Sequence, residues 1–333
     1  MHKPPLELLH DFVNAPSPTG SERAFADHLH ATLGDAFDYD HLEMQEVAPG
    51  RCNILMVKGD PAMMLTSHID TVPTDIEPRI EDGIFYGTGA CDAKGQIVAQ
   101  LSAMQQARRE GLQSYGCFYV IGEEVDSSGA QAVINHPLIR GTHVLNGEPT
   151  RNRFVNRSKG VVEASATAIG KEQHSSIVPF NSAIHTMITG LNRLIEDPHA
   201  DATVNVGIFE GGKAANMSAA AAEAAVNLRI TSDSEPIVRH TRDRLGNDIS
   251  LKIVNVIEPY TFYVPTEYRA DAIDVAYCSD APYYAANFDH VMMFGPGDIA
   301  HAHNIHEQVG GYELADAARM IAHLLLRAQE GSL

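Results

Sequence analysis

The sequence predicts an α/β protein, a mainly parallel sheet flanked by helices, interrupted by a ferredoxin-like α+β module. Two observations carry this expectation. Outside the middle third, apolar runs of strand length alternate with segments of helical period, the order expected of a parallel sheet with crossover helices. Between about residues 160 and 263 the order becomes β-α-β-β-α-β, a split unit complete in itself. The expected division is therefore residues 1–159 with 264–333, and an inserted domain at 160–263.

Residues 6–13 read as a short amphipathic helix, and Ser21, following Gly20, as the cap of a second helix running through Leu33. Residues 53–57 and 63–66 read as strands, the second leading into Ser67-His68-Ile69-Asp70. A long helical pattern covers 93–109, and 117–121 is an apolar, buried-strand run. In the insertion, 161–169 alternates as a strand, 181–195 is helical, 203–209 and 221–230 are strands, 235–245 is a helix and 251–256 a strand. The alanines at 219–225 belong to the approach of a strand, and the chain closes with a helix at 313–328. In such sheets, ligand chemistry gathers in the loops that leave the carboxyl ends of the strands.

Charge narrows the classes of partner. The 333 residues include 43 acidic and 24 basic side chains, a formal net charge of −19. That leaves no basic footprint for nucleic acid and disfavours an anionic membrane surface. No apolar run approaches the ~20 residues of a membrane span, and the N-terminal Met1-His2-Lys3-Pro4-Pro5 stretch lacks the pattern of a secretory signal. Cys52, Cys91, Cys117 and Cys278 are scattered without a C-x-x-C pair, which fits a reducing compartment, so a cytoplasmic protein is expected. Seventeen histidines and no tryptophan direct attention to metal ligands.

Four segments place acids and histidines where strands or turns end. His68 and Asp70, two apart on an extended chain, point the same way, so His68 could bind a metal while Asp70 steadies it. The same pair could equally be a polar strand end. Asp92 follows a glycine-rich turn, Gly87-Thr88-Gly89, at the start of a helix, where it could approach a ligand or cap the helix. That turn lacks the Gly-Lys-Ser/Thr of a phosphate loop and the full G-x-G-x-x-G of a dinucleotide site. Glu123 and Glu124 end an apolar strand, and adjacent carboxylates there repel unless a cation or proton relieves them. One could bind metal while the other acts as general base, or both could sit in a solvated turn. The fourth set is Glu148, in Gly147-Glu148-Pro149-Thr150, with the histidines of 301–306. Carboxylates mixed with imidazole suit zinc, cobalt or manganese, and two such ions about 3.5–4 Å apart form a clamp for hydrolysis.

Together these blocks resemble the M20 metallopeptidase family, which includes acetylornithine deacetylases, succinyl-diaminopimelate desuccinylases and aminoacylase-like enzymes. The matching stretches are SHIDTVP (67–73), GTGACDAKG (87–95), EE (123–124), GEPT (147–150), HSS (174–176) and AHNIHE (302–307), in family order over nearly the whole chain. The resemblance implies two zinc ions, which cobalt can replace. His68 and Glu148 would bind one and Glu124 and His303 the other, with Asp92 bridging. His303 is preferred to His301 and His306 because the family ligand stands four residues before a glutamate, here Glu307. The resemblance further makes Asp70 the residue that orients His68, and Glu123 the general base. It makes the catalytic domain the α/β part and the insertion a lid that dimerises. His174 would then stabilise the oxyanion, with an exposed loop histidine as the alternative. Asn216 and Arg229 would bind a substrate carboxylate, although Arg229 could also be an ordinary strand-surface charge. Ser67 and Ala93 depart from the family pattern without removing a ligand. Lys159, in a Lys-Gly pair after GEPT, and GPGD (295–298) resemble acetylornithine deacetylases. The expected reaction is thus hydrolysis of N-acetyl-L-ornithine or a close N-acetyl amino acid, as in arginine biosynthesis. Desuccinylation of N-succinyl-diaminopimelate and a dipeptidase or aminopeptidase activity are the alternatives, with a turnover-deficient binding protein as a further class.

Overall fold

The computed structural model describes residues 3–179 and 181–333. Met1 and His2, part of the N-terminal stretch considered above, lie outside them. The chain forms two compact units, Met1–Asn156 with Phe262–Ile273 and Ser279–Leu333, and Arg157–Thr261 with Asp274–Cys278.

The first unit is built on a six-stranded sheet in the order His41–Ala48, Arg51–Lys58, Tyr115–Val120, Met63–His68, Gly141–Asn146, Phe288–Met293. The two pairings at one edge are antiparallel and the other three are parallel, so the sheet is mixed but mainly parallel. Its two central strands, Met63–His68 and Tyr115–Val120, are buried along their whole length, as expected of strands covered on both faces. His68 lies opposite Val120 in a parallel pairing, so the loops carrying Asp70 and Glu123–Glu124 leave the sheet side by side. Gly141–Asn146 runs parallel on the other side of Met63–His68 and delivers Glu148 to the same edge.

The helix Lys94–Arg109 is buried through nearly its whole first half. Its buried Gln100 donates to Thr66 O (2.7 Å), and Gln96 to Cys91 O (2.7 Å) and Pro296 O (2.8 Å). These side-chain amides satisfy carbonyls that the irregular loops would otherwise leave unpaired. The helix Arg23–Ala36 begins later than expected, with Glu22 rather than Ser21 at its cap and no side-chain cap bond. Glu22 is fully buried and its carboxylate is held by Arg51 (2.9 Å) and the Gly20 amide (3.0 Å).

The second unit carries an antiparallel sheet in the order Ala202–Gly211, Ala221–Ile230, Gly160–Ile169, Ile249–Ile257. The helices Ala183–Glu196 and Ser234–Leu245 bury Met187, Leu191, Leu194, Ile237 and Leu245 in a core shared with that sheet. Alternating exposure along Ala221–Ile230 marks one covered face. The unit's limits differ from 160 and 263: it takes in Arg157–Lys159 and Asp274–Cys278, while Phe262 and Tyr263 fall in the first unit. Tyr260 and Thr261 pair with Ser158 and Arg157, and the Lys159 amide donates to Val275 O (3.2 Å). Pairings of two or three residues leave no alternation to read in a sequence. Among the described residues, no helix is long and apolar enough to cross a membrane.

Candidate metal centre

His68, Asp92 and Glu124 each offer a ligand atom, and these atoms lie within 4.8 Å of one another. His68 is buried at the end of its strand, with Nε2 2.9 Å from Asp92 Oδ1 and Nδ1 2.9 Å from Asp70 O. His303, at φ +58°, brings Nε2 to 2.9 Å from Glu124 Oε2 and 3.3 Å from Asp92 Oδ2. Asp92 therefore turns one oxygen to each imidazole. It does not cap the following helix, whose cap is Ala93 without a side-chain bond. Glu124 does not lie in a solvated turn either, since its side chain is 6% exposed. Glu148 is buried, accepts from Asn146 Nδ2 (3.2 Å), and its charge faces those of His68 and Asp92.

Asp70 does more than steady one histidine. Its carboxylate is buried, lies 3.6 Å from His68 Nδ1, and accepts from Thr19 Oγ1 (2.8 Å). It also accepts the backbone amides of Glu123 (3.2 Å) and Glu124 (3.3 Å). Burial pushes the Asp70 carboxyl up, but the bonds from His68, Thr19 and the Glu124 amide outweigh it and hold it below its usual range. Glu123 goes the other way. Burial lifts its carboxyl well above the ordinary value; His68 opposes this, while the charges of Glu148, Asp280 and Glu124 add to it.

Two further acidic groups take places that the sequence did not point to, Glu307 having served there only as the marker for His303. Glu307 is buried and accepts the amides of Gly89 (2.9 Å), Cys91 (3.1 Å) and Asp92 (3.1 Å). The amides that a phosphate loop would turn to a nucleotide are thus already taken. Asp280 is buried beside the cluster, its charge facing those of His68 and Asp70.

The family model described as peptidase family M20/M25/M40 matches residues 64–327. The chain belongs to this family.

Three similar proteins place the M20 chain further. A peptidase M20 domain-containing protein of Schizosaccharomyces pombe is 34% identical over 74% of the chain and 64% of the relative. A putative LysW-lysine/LysW-ornithine hydrolase of Aeropyrum pernix is 32% identical over 67% of the chain and 62% of the relative. In both cases the match spans less than two thirds of the relative's length. A dinuclear metal-binding M20 peptidase of Bacillus subtilis has the same fold, with a TM-score of 0.70 at 15% identity over 98% of this chain and 97% of that one. The protein is therefore an M20-family metallo-hydrolase.

The remaining expected site residues of this M20 hydrolase lie in the second unit. His174 is exposed, shares a hydrogen bond between Nδ1 and Ser176 Oγ (2.8 Å), and bridges to Met217 in the backbone. The Ser175 amide donates to Asn216 O (2.9 Å), so His174 and Asn216 lie on adjoining segments. Arg229 is half-buried and donates to Cys278 Sγ (3.4 Å). Lys159 is half-buried where its amide meets Val275.

The metal-free centre has a testable pH signature. The bonds to Asp92 and Glu124 raise His303 to about 10. Burial raises Glu148 to about 8, and Asp280 and Glu307 to about 7. All four folded values lie above the unfolded ones, so the folded state binds more protons here. Its stability from these groups is complete below the unfolded values and is lost as pH rises through the folded ones. The melting temperature of the chelator-treated protein is expected to fall between roughly pH 5 and pH 9. Divalent metal competes with those protons and should restore most of the loss at the upper end. Thermal denaturation with and without chelator checks this, and a metal-free melting temperature that climbs over the interval contradicts it.

Proposed function

We propose that this M20 hydrolase cleaves the amide bond of an N-acyl amino acid bearing a free α-carboxylate. The substrate is N-acetyl-L-ornithine or a close N-acetyl amino acid, released as acetate and the amino acid in the cytoplasm. The observation that carries the reading is the convergence of His68, Asp92 and Glu124 within 4.8 Å, with His303 2.9 Å from Glu124. Imidazoles and carboxylates packed this closely fit divalent ions, which relieve the carboxylates' mutual repulsion.

In this reading His68 and Glu148 would hold one zinc ion and Glu124 and His303 the other, with Asp92 between them and cobalt able to substitute. When bound, the ions supply electrophilic activation of the scissile carbonyl and the attacking water. Glu123 takes a proton from that water and returns it to the leaving amine, and its raised proton affinity suits both transfers. Asp70 acts through others: it orients His68 and holds the Glu123 and Glu124 amides. His174 as oxyanion donor, and Asn216, Arg229 and Lys159 as groups for the substrate carboxylate, rest on the family resemblance.

The Aeropyrum relative's name favours a second reading, release of lysine or ornithine from LysW. Amine release from N-acetyl-L-ornithine, N-succinyl-diaminopimelate, dipeptides and lysine amide-linked to a carrier peptide separates the possibilities. Highest turnover on the N-acetyl amino acid supports the proposal. Turnover of the succinyl substrate far above every N-acetyl amino acid overturns the acetyl assignment, and turnover of the peptide-linked lysine alone supports the second reading.

We also propose a homodimer through the second unit. Among the described residues, Ala202–Gly211 pairs on one side only and exposes Ile208 (58%) and Phe209 (43%), while Ala183–Glu196 exposes Ile188 (52%) and Ile195 (56%). A long, apolar edge strand is a liability for a monomer. Light scattering after size exclusion is expected to give twice the chain mass of 36.1 kDa, and Ile208→Lys to shift it towards one. A wild-type monomer at tens of micromolar sinks the idea.

A further inference from the structure

We infer that Glu307 is a positioning residue that joins the two ends of the metal cluster, holding the turn that presents Asp92 in register with the segment that presents His303. The inference rests on the two-metal reading of the centre.

Inside the Asp92 turn the Ala90 amide donates to Gly87 O (3.0 Å) and the Lys94 amide to Gly89 O (2.9 Å), which leaves the amides of Gly89, Cys91 and Asp92 to be met from outside it. Gly89 sits at φ +79°, and a Cβ there would meet Thr71 Cγ2 at 2.9 Å and Lys94 Cδ at 3.2 Å, so the turn is a close-packed, left-handed bend. Around it, the amides of Gly89, Cys91 and Asp92 point at one place, and the Glu307 carboxylate fills that place, 1% exposed. Three amide donors on one buried carboxylate are charge-assisted bonds, stronger than neutral ones. The Gly87 amide adds a bond to Glu307 O (3.2 Å).

At the other end, Glu307 closes the short loop carrying His303. Its amide donates to Asn304 O (3.2 Å), the His306 amide donates to Asn304 Oδ1 (2.8 Å), and Asn304 Nδ2 donates to Ala300 O (3.1 Å) and Ala302 O (3.2 Å). The loop is thus stiff in itself, and the Glu307 carboxylate ties it to the turn. The antiparallel pairing of Ile84–Tyr86 with Gln308–Gly310 brings the two segments together, and the Glu307 carboxylate fixes the Asp92 turn against the His303 loop, with Asp92 Oδ2 and His303 Nε2 3.3 Å apart. Ligand-supporting residues of this sort typically set metal affinity or activity within about 10–100-fold.

Glu307→Gln keeps the shape but turns an NH₂ group towards amide donors. Glu307→Asp keeps the charge and withdraws it by one methylene, which leaves a test should the glutamine variant fold poorly. The chelator-treated proteins are titrated with Co²⁺ by equilibrium dialysis, with metal counted by mass spectrometry and the visible ligand-field spectrum recorded. Wild type is expected to bind two ions. The variants, folded by circular dichroism, are expected to bind the weaker-held ion about 10–100-fold less tightly and to show an altered spectrum. A purely packing role would lower the melting temperature without moving the spectrum. Variants that bind two ions with wild-type affinity and spectrum overturn the inference, while a wild type that does not bind two ions overturns the metal reading beneath it.

Discussion

Glu123→Gln is expected to lower kcat by about 10²–10⁴-fold, the range of a lost general base, while the protein keeps its metal. Glu123 is raised well above the ordinary carboxyl value by burial and by the charges of Glu148, Asp280 and Glu124, against the pull of His68. It is next in the chain to Glu124 and, like Glu148, stands outside the group formed by His68, Asp92 and Glu124. The glutamine is nearly isosteric and leaves the Glu123 backbone amide on Asp70 untouched, so the folded centre should survive. Metal analysis alongside steady-state kinetics reads the outcome. Loss of metal in step with loss of turnover would show that Glu123 is a ligand and that the base lies elsewhere.

Asp92→Ala is expected to lose both ions. Its two oxygens face different imidazoles, His68 at 2.9 Å and His303 at 3.3 Å, which puts it between the two halves of the cluster. The loss of affinity should exceed the ~10–100-fold typical of residues that only support a ligand. Metal per chain after dialysis is the measurement, with His68→Ala as comparison. If Asp92→Ala retained one ion as firmly as wild type, Asp92 would serve one site only, not bridge two.

The sequence was legible where a physical pattern repeats over several residues. The fully apolar run Tyr115–Val120 and the helical period of Lys94–Arg109 are of that kind, and so is the alternation along Ala221–Ile230. His41–Ala48 carried no such signal, being an edge strand with no fully buried residue. The clustered side chains were legible in part: His68, Asp92, Glu123 and Glu124 each follow a recognisable strand or turn, whereas Glu148 and His303 stood out only through the family resemblance. Glu307 was legible only as the marker that singled out His303; its hold on backbone amides 215 to 218 positions away in the chain is encoded by no side-chain pattern. Asp70 was half legible. Its spacing from His68 points to a supporting role, but its hold on the Glu123 and Glu124 amides comes from two parallel strands ending side by side.

The most direct test of a two-metal amide hydrolase is to titrate the chelator-treated protein with zinc and follow amine release from N-acetyl-L-ornithine at each addition. The account predicts activity that is negligible without metal, grows with added zinc and levels off at two ions per chain. Turnover that is undiminished in the metal-free protein, or that reaches its ceiling with no bound metal, would contradict it.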